Sequence, residues 1–218
     1  ATTLGVAPDK LRPLLYALVT AGLLTVDDMR FANTPESMAF LVKGEPRYLG
    51  GTAEAYADLW SATLHTAQSI RSGVPQARHD FGRMSADELR AFIRGIDAGA
   101  GATARRLHKD YALGSRRHLL DAGGGAGGLA LALCGLCPEL RATVAELPSV
   151  ATIARECVDE AGLGARVAVI DTDLVAAPPA GRYDIATLRA VLQVLSASDA
   201  ARVVQHVASA LDAGGELF

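Results

Sequence analysis

The sequence predicts an α/β chain built on a parallel sheet and preceded by a mostly helical unit, and three observations carry that prediction. From His118 onward, short apolar, β-branched stretches alternate with helical patterns. Five glycines fall within Gly123–Gly128, between the first of those stretches and the helix that follows it. The opening 60 residues read instead as helix, hairpin and helix. The domains are expected at 1–84 and 85–218.

Composition narrows the function classes. Of 218 residues, 50% are hydrophobic and 21% charged, with a net charge of −3, which excludes a disordered or fibrous chain. No apolar run reaches the ~20 residues of a membrane helix. ATTLGVAPDK lacks the charged-then-apolar layout of a signal peptide. Three cysteines supply no paired disulfide framework, which points to a reducing, cytoplasmic setting. The chain opens without an initiator Met and stops soon after Gly214-Gly215, so a longer protein is expected.

In the first unit, Asp9 is the expected cap of a helix carrying Leu11, Leu14, Leu15, Leu18 and Leu23-Leu24, with Gly22 near its end. Asp27-Asp28 is expected to turn a hairpin, and Pro35 to open a second helix at its first position. Helix, hairpin and helix suggest a winged-helix unit, a common DNA-binding form. Residues 1–60 hold five Lys/Arg against seven Asp/Glu, so the basic stripe that phosphates require is missing. A structural or dimerising role is the better expectation. Residues 61–115 read as helical. Ser85 and Glu88 form a capping box, an apolar face follows at Leu89, Phe92, Ile93 and Ile96, and Gly95, Gly99 and Gly101 weaken the helix, allowing either close packing or a bend.

Strands are expected at His118–Ala122, Ala142–Glu146, Arg166–Ile170, Asp184–Leu188 and Glu216–Phe218. Helices are expected at Gly128–Cys137, Val150–Ala161 and Ser198–Leu211. This alternation implies a parallel sheet covered on both faces.

The chemistry concentrates where the first strand meets its helix, in Leu119-Leu120-Asp121-Ala122-Gly123-Gly124-Gly125-Ala126-Gly127-Gly128. Glycines there let the backbone approach a ligand closely, and a helix N-terminus offers free N–H groups. Gly123, Gly125 and Gly128 match the dinucleotide pattern GxGxxG. Asp121 with Gly123, Gly125 and Gly127 equally matches the acidic-x-G-x-G-x-G pattern of S-adenosylmethionine (SAM) binding. Asp121 favours the second, because a carboxylate repels a pyrophosphate and attracts an ammonium group. A nicotinamide-dependent oxidoreductase is the rival. Glu146 ends the second strand 18 residues after Gly128, where a carboxylate can accept both ribose hydroxyls. Asp171-Thr172-Asp173-Leu174 follows the third strand. There Asp173, more than Asp171, suits an adenine amino group, with Leu174 on the ring.

LLDAGGGAGG, TVAELP, DTDL and YDIATLRAVLQVLS, followed by DAGGELF, resemble the small-molecule O-methyltransferases of the caffeate/acetylserotonin type, a group with bacterial natural-product members. The resemblance implies a Rossmann-like SAM-binding sheet behind a winged-helix dimerisation domain. It further implies a homodimer, SAM as cofactor, and a small-molecule acceptor bearing an aromatic or enolic hydroxyl. N- or C-methyl transfer on the same fold is the alternative. Asp121, Gly123, Gly125, Glu146, Asp173, Leu174 and Arg189 fall where the family contacts SAM, and Phe92 and Ile96 align with a helix lining the cleft. Gln193 stands where plant members carry a catalytic His. Glutamine cannot take a proton, so Gln193 is expected to position the acceptor by hydrogen bonding. His79 and His108 are the alternative bases. Trp60, Phe81 and Met84 are candidates for the acceptor pocket or for plain core. Cys134 and Cys137 are expected to be packing residues, since no second pair completes a metal site.

Overall fold

The computed structural model describes residues 2–57, 63–74, 76, 84–111 and 113–218. They form two compact units, Ala1–Ala53 and Glu54–Phe218.

In the first unit, α1 spans Pro8–Thr20. Its start departs from expectation: Ala7 is the N-cap and makes no side-chain bond, Pro8 opens the helix, and Asp9 lies in the first turn. The fixed φ of proline suffices to start the helix, while Asp9 faces its positive end. Leu23-Leu24 also leaves the helix. Gly22 turns left-handed at φ 73°, and the Leu23 and Gly22 amides bond back to the carbonyls of Leu18 and Val19, a glycine-based helix stop. The chain then enters β1 (Leu24–Asp27), which pairs antiparallel with β2 (Arg30–Asn33). The turn is Asp28-Met29, one residue later than expected, both with positive φ, the form that matches strand twist. In α2 (Pro35–Leu41), Pro35 holds the first position and the Thr34 hydroxyl accepts the Ser37 amide at 3.2 Å. Tyr16 meets Phe31 edge-on at 5.3 Å. Helix α3 (Gly50–Ala55) starts in this unit and runs two residues past its boundary.

The second unit carries α4 (Thr66–Ser72) and α5 (Ala86–Ile96). The Ser85–Glu88 capping box forms as expected, and Leu89, Phe92 and Ile93 are buried. The bend falls at Asp97–Gly99, a short 3-10 turn leading into α6 (Ala100–Asp110). Five strands follow: β3 (His118–Ala122), β4 (Arg141–Glu146), β5 (Val167–Asp171), β6 (Tyr183–Thr187) and β7 (Leu211–Leu217). They stand in the order β5-β4-β3-β6-β7, and every pairing is parallel. Strand β7 begins earlier than expected. Leu211 already pairs with Tyr183, and a bulge carrying Gly214 at φ 79° intervenes before Glu216 pairs with Ile185. The connecting helices are α7 (Gly128–Leu136), α8 (Pro148–Glu160) and α9 (Ala197–Ser209).

Strand alternation sorts the core. Leu119, Val144 and Ile185 face α6, α7 and α8, while Leu120, Ala145 and Ala186 face α9. Helix α5 is joined to α8 by Phe92 and Ile93 against Val150 and Ile153. Two bidentate pairs reinforce the contact, Arg90–Glu156 at 2.9 Å and Arg94–Glu160 at 2.7 Å. The sheet runs outward in opposite directions from β3 and β6. Ligands of open α/β sheets bind beyond the strand C-termini at such a reversal.

Candidate cofactor site

Strand β3 ends at that reversal and delivers Asp121 into the glycine loop. Gly123, Gly125 and Gly127 take φ of 66°, 60° and 80°, a conformation that side chains rarely adopt. A Cβ at Gly123 would strike Val191, one at Gly124 would lie 2.7 Å from Asp121 Oδ2, and one at Gly128 would strike the Asp97 carboxylate. The loop is wrapped by three side chains that require its glycines.

Asp121 is 1% exposed. Its Oδ1 accepts the Thr187 hydroxyl at 2.8 Å, while Oδ2 is buried without a hydrogen-bond partner. Burial drives its pKa up, and Thr187, the Arg189 charge and the nearby Ala130 amide pull it back. Glu146 closes the loop from β4. One oxygen accepts the Gly125 amide and the other the Leu147 amide, both at 2.9 Å. Burial raises this carboxyl as well, against those two amides.

Asp97 was not anticipated. In the turn after α5, its Oδ2 accepts the Gly128 amide at the start of α7, and its Oδ1 meets Arg189 Nη2, each at 2.9 Å. Burial pushes its pKa up to about 6, against Arg189 and the Gly128 amide and with Asp121 adding to the rise. The signal in the sequence was an acid between two helix-breaking glycines, Gly95 and Gly99. Its partners lie 31 and 92 residues away, beyond the reach of local pattern.

Of the expected contacts, Asp121, Gly123, Gly125, Glu146 and Arg189 therefore converge on one loop. Asp173 lies in its own exposed turn after β5, with Oδ1 on the Val175 amide at 2.9 Å. The Thr172 amide ties that segment back to the Glu146 carbonyl at 2.8 Å. Leu174 is buried and packs with the cluster on the α9 face. Asp171 pairs with Arg155 at 2.6 Å, which is a structural use. Gln193 is exposed on the short 3-10 turn Leu192–Val194. It follows Ala190, whose φ of 59° is strained for a residue with a Cβ.

His108 does not reach this edge. Its Nδ1 lies 3.4 Å from Cys137 Sγ, beyond the far end of α7, because α6 packs alongside α7 and turns its C-terminus away from the loop. Cys134 and Cys137 are buried, and burial raises both thiols, as packing cysteines require. Met84 packs on the α5–α8 cluster. His79, Trp60 and Phe81 lie outside the described residues.

The site thus sets one buried carboxylate, Asp121, and two half-buried ones, Asp97 and Glu146, against the Arg189 guanidinium, around a helix N-terminus. Such a set suits a ligand that carries positive charge and hydroxyl donors and disfavours a pyrophosphate. Fold and site together define a doubly wound α/β protein whose glycine loop is ringed by carboxylates. Residues 63–218 match the O-methyltransferase domain, and the chain belongs to that family. It is 30% identical over 225 residues, covering all of this chain, to 3-hydroxy-5-methyl-1-naphthoate 3-O-methyltransferase of Streptomyces sahachiroi. It is 32% identical over 175 residues, 80% of this chain, to aclacinomycin 10-hydroxylase RdmB of Streptomyces purpurascens. It spans 65% and 41% of those two curated relatives. Human N-acetylserotonin methyltransferase, solved in complex with SAM, shares the fold at a TM-score of 0.85 and 20% identity, over all of this chain and 66% of that one.

Proposed function

We propose that this chain forms the cofactor-binding body of a SAM-dependent methyltransferase that methylates a hydroxyl of an aromatic or enolic small molecule. The observation that carries the reading is the buried Asp121 Oδ2 without a partner beside a glycine cradle. A buried carboxylate oxygen left unpaired is costly, and an ammonium or sulfonium ligand relieves that cost. Bound SAM would supply a methyl group on a positively charged sulfur; the acceptor oxygen, its proton lost to water, would take the methyl carbon as the carbon–sulfur bond breaks and S-adenosylhomocysteine leaves. Asp121 and the loop amides would hold its amino-acid end, Glu146 its ribose hydroxyls, and Asp173 its adenine.

Gln193 would hydrogen-bond the acceptor without taking its proton, so that positioning and exclusion of water carry much of the acceleration. An acceptor more acidic than a simple phenol, whose pKa is near ~10, suits such a site. The naphthoate specificity in the name of the Streptomyces sahachiroi relative supports an aromatic acceptor. A homodimer assembled through the first unit is supported by its uncovered apolar side chains, among them Leu14, 56% exposed, and Leu41, 50% exposed. Among the described residues no helix is long and apolar enough to cross a membrane. A cytoplasmic setting with no nucleic-acid partner completes the reading.

Two measurements test it. SAM and S-adenosylhomocysteine should raise the melting temperature and NAD should not; the reverse pattern overturns the cofactor assignment. Labelled methyl should move from SAM to a hydroxylated aromatic. Because one relative is named a hydroxylase, oxygen insertion without methyl transfer would overturn the O-methyl assignment while sparing SAM.

A further inference from the structure

The geometry points to Asp97 as a cofactor-positioning residue whose ionised carboxylate, joined to Arg189 and the Gly128 amide, favours charged SAM over its uncharged-sulfur product. This inference rests on the SAM reading above and assigns a role to a residue outside the glycine motif. Four observations support it. The Asp97 side chain is 13% exposed and bonded on both sides at 2.9 Å, to an amide of the α7 N-terminus and to a guanidinium. Gly128 has no room for a side chain because Asp97 fills that space. The turn bearing Asp97 is held in place, since α5 is fixed to α8 by the Arg90 and Arg94 pairs. Arg189 immediately precedes the strained Ala190 and the turn carrying Gln193. Asp97 therefore ties the cofactor loop to the acceptor-side turn.

Charge gives the tie a second consequence. Ionised Asp97 neutralises Arg189, leaving Asp121 and Glu146 to face a ligand with a net positive charge. Protonated Asp97 releases Arg189, whose charge then opposes the sulfonium. S-adenosylhomocysteine has lost that positive sulfur and responds less. Asp97 feels Arg189 from the segment after β6, Asp121 from β3 and Cys157 from α8. Its carboxyl, pushed up to about 6, places the change just below neutrality.

The test is titration calorimetry of the whole chain with SAM and with S-adenosylhomocysteine between pH 5.5 and 7.5. The preference for SAM should grow about threefold to tenfold as pH rises through that range, the scale of one ionisation next to the ligand. In Asp97→Asn the preference should stay flat and low. In Arg189→Gln the rise should move to higher pH, because Arg189 is what holds the Asp97 carboxyl down. Should Asp97→Asn not fold, Asp97→Ser, which removes the charge and leaves room for water at the Gly128 amide, carries the same expectation. A pH-dependent preference that survives in the Asn or Ser variant assigns it to Asp121 or Glu146 and overturns the inference, as does a flat preference in the unaltered chain. No SAM binding by the unaltered chain overturns the cofactor reading and this inference together.

Discussion

The two edges of the sheet are built from the same residue types and treat them differently. At the N-terminal edge every carboxylate with a described bond meets a ready donor. Asp184 accepts the Arg117 and His118 amides at 2.7 and 3.0 Å, Asp212 meets Arg182 at 3.0 Å, and Glu216 pairs with Arg116. The arginines there also bind helix-end carbonyls, as Arg166 does with Cys134 O at 2.8 Å. At the C-terminal edge buried Asp121 and half-buried Asp97 and Glu146 surround the glycine loop with Arg189 as their cation, and all three are pushed toward protonation. One edge spends its charges on folding. The other holds charge in reserve, and reserved charge marks where a ligand belongs.

Substitutions that exchange these roles would break the comparison. The largest effect is expected for Asp121→Ala, which should weaken SAM binding roughly 10- to 100-fold, the scale of a lost charge-assisted hydrogen bond. The folded chain should lose little stability, since an unpaired buried charge goes with it. Calorimetry and thermal melts on one preparation decide this, and a variant that unfolds while binding normally would invert the assignment. Next is Asp184→Ala at the opposite edge, expected to lower stability by about 1–2 kcal/mol by freeing two strand-start amides while leaving SAM affinity unchanged.

Third is pH. A carboxyl whose pKa is raised by folding binds its proton more tightly in the native state, so stability should increase as pH falls from 7.5 toward 5.5. From Asp97, at about 6, the gain is roughly 1 kcal/mol over that range. Asp121 and Glu146 act in the same direction. Urea melts of the ligand-free chain should show the trend; a loss of stability on mild acidification would contradict the desolvation that raises all three carboxyls. The smallest effect is expected for Arg141→Ala, whose exposed guanidinium meets the Ala165 carbonyl at 3.1 Å: within about 0.5 kcal/mol in the same melts, with unchanged binding.

What the sequence made legible follows from the range of the forces involved. Strand β3 was readable residue for residue, because its apolar Leu119-Leu120 pair stands between Arg116-Arg117 and an unmistakable glycine stop. Glu146 was readable because the spacing from loop to second strand end is set by one βαβ unit. The Ser85 box and Pro35 were readable because caps act over three or four residues. Asp97 was not, since both its partners come from folding α5 against α7 and the segment after β6. The burial of Leu174 and the retreat of His108 depend in the same way on how a side chain meets distant neighbours. The start of α1 misled for a smaller reason: two adjacent residues both favour a helix start, and Pro8 rather than Asp9 set it.

The glycine run carries a last consequence, which concerns inheritance more than binding. The vacant side-chain positions of Gly123, Gly124 and Gly128 are filled by Val191, Asp121 and Asp97, three residues from three parts of the chain. Each glycine and its occupant form a lock and key within one molecule, so neither can drift alone. Enlarging Gly128 should be tolerated where Asp97 shortens, whereas Gly123, at φ 66°, stays glycine even where Val191 shrinks. A loop that reads as the most permissive stretch of the sequence is thereby among the least free to vary.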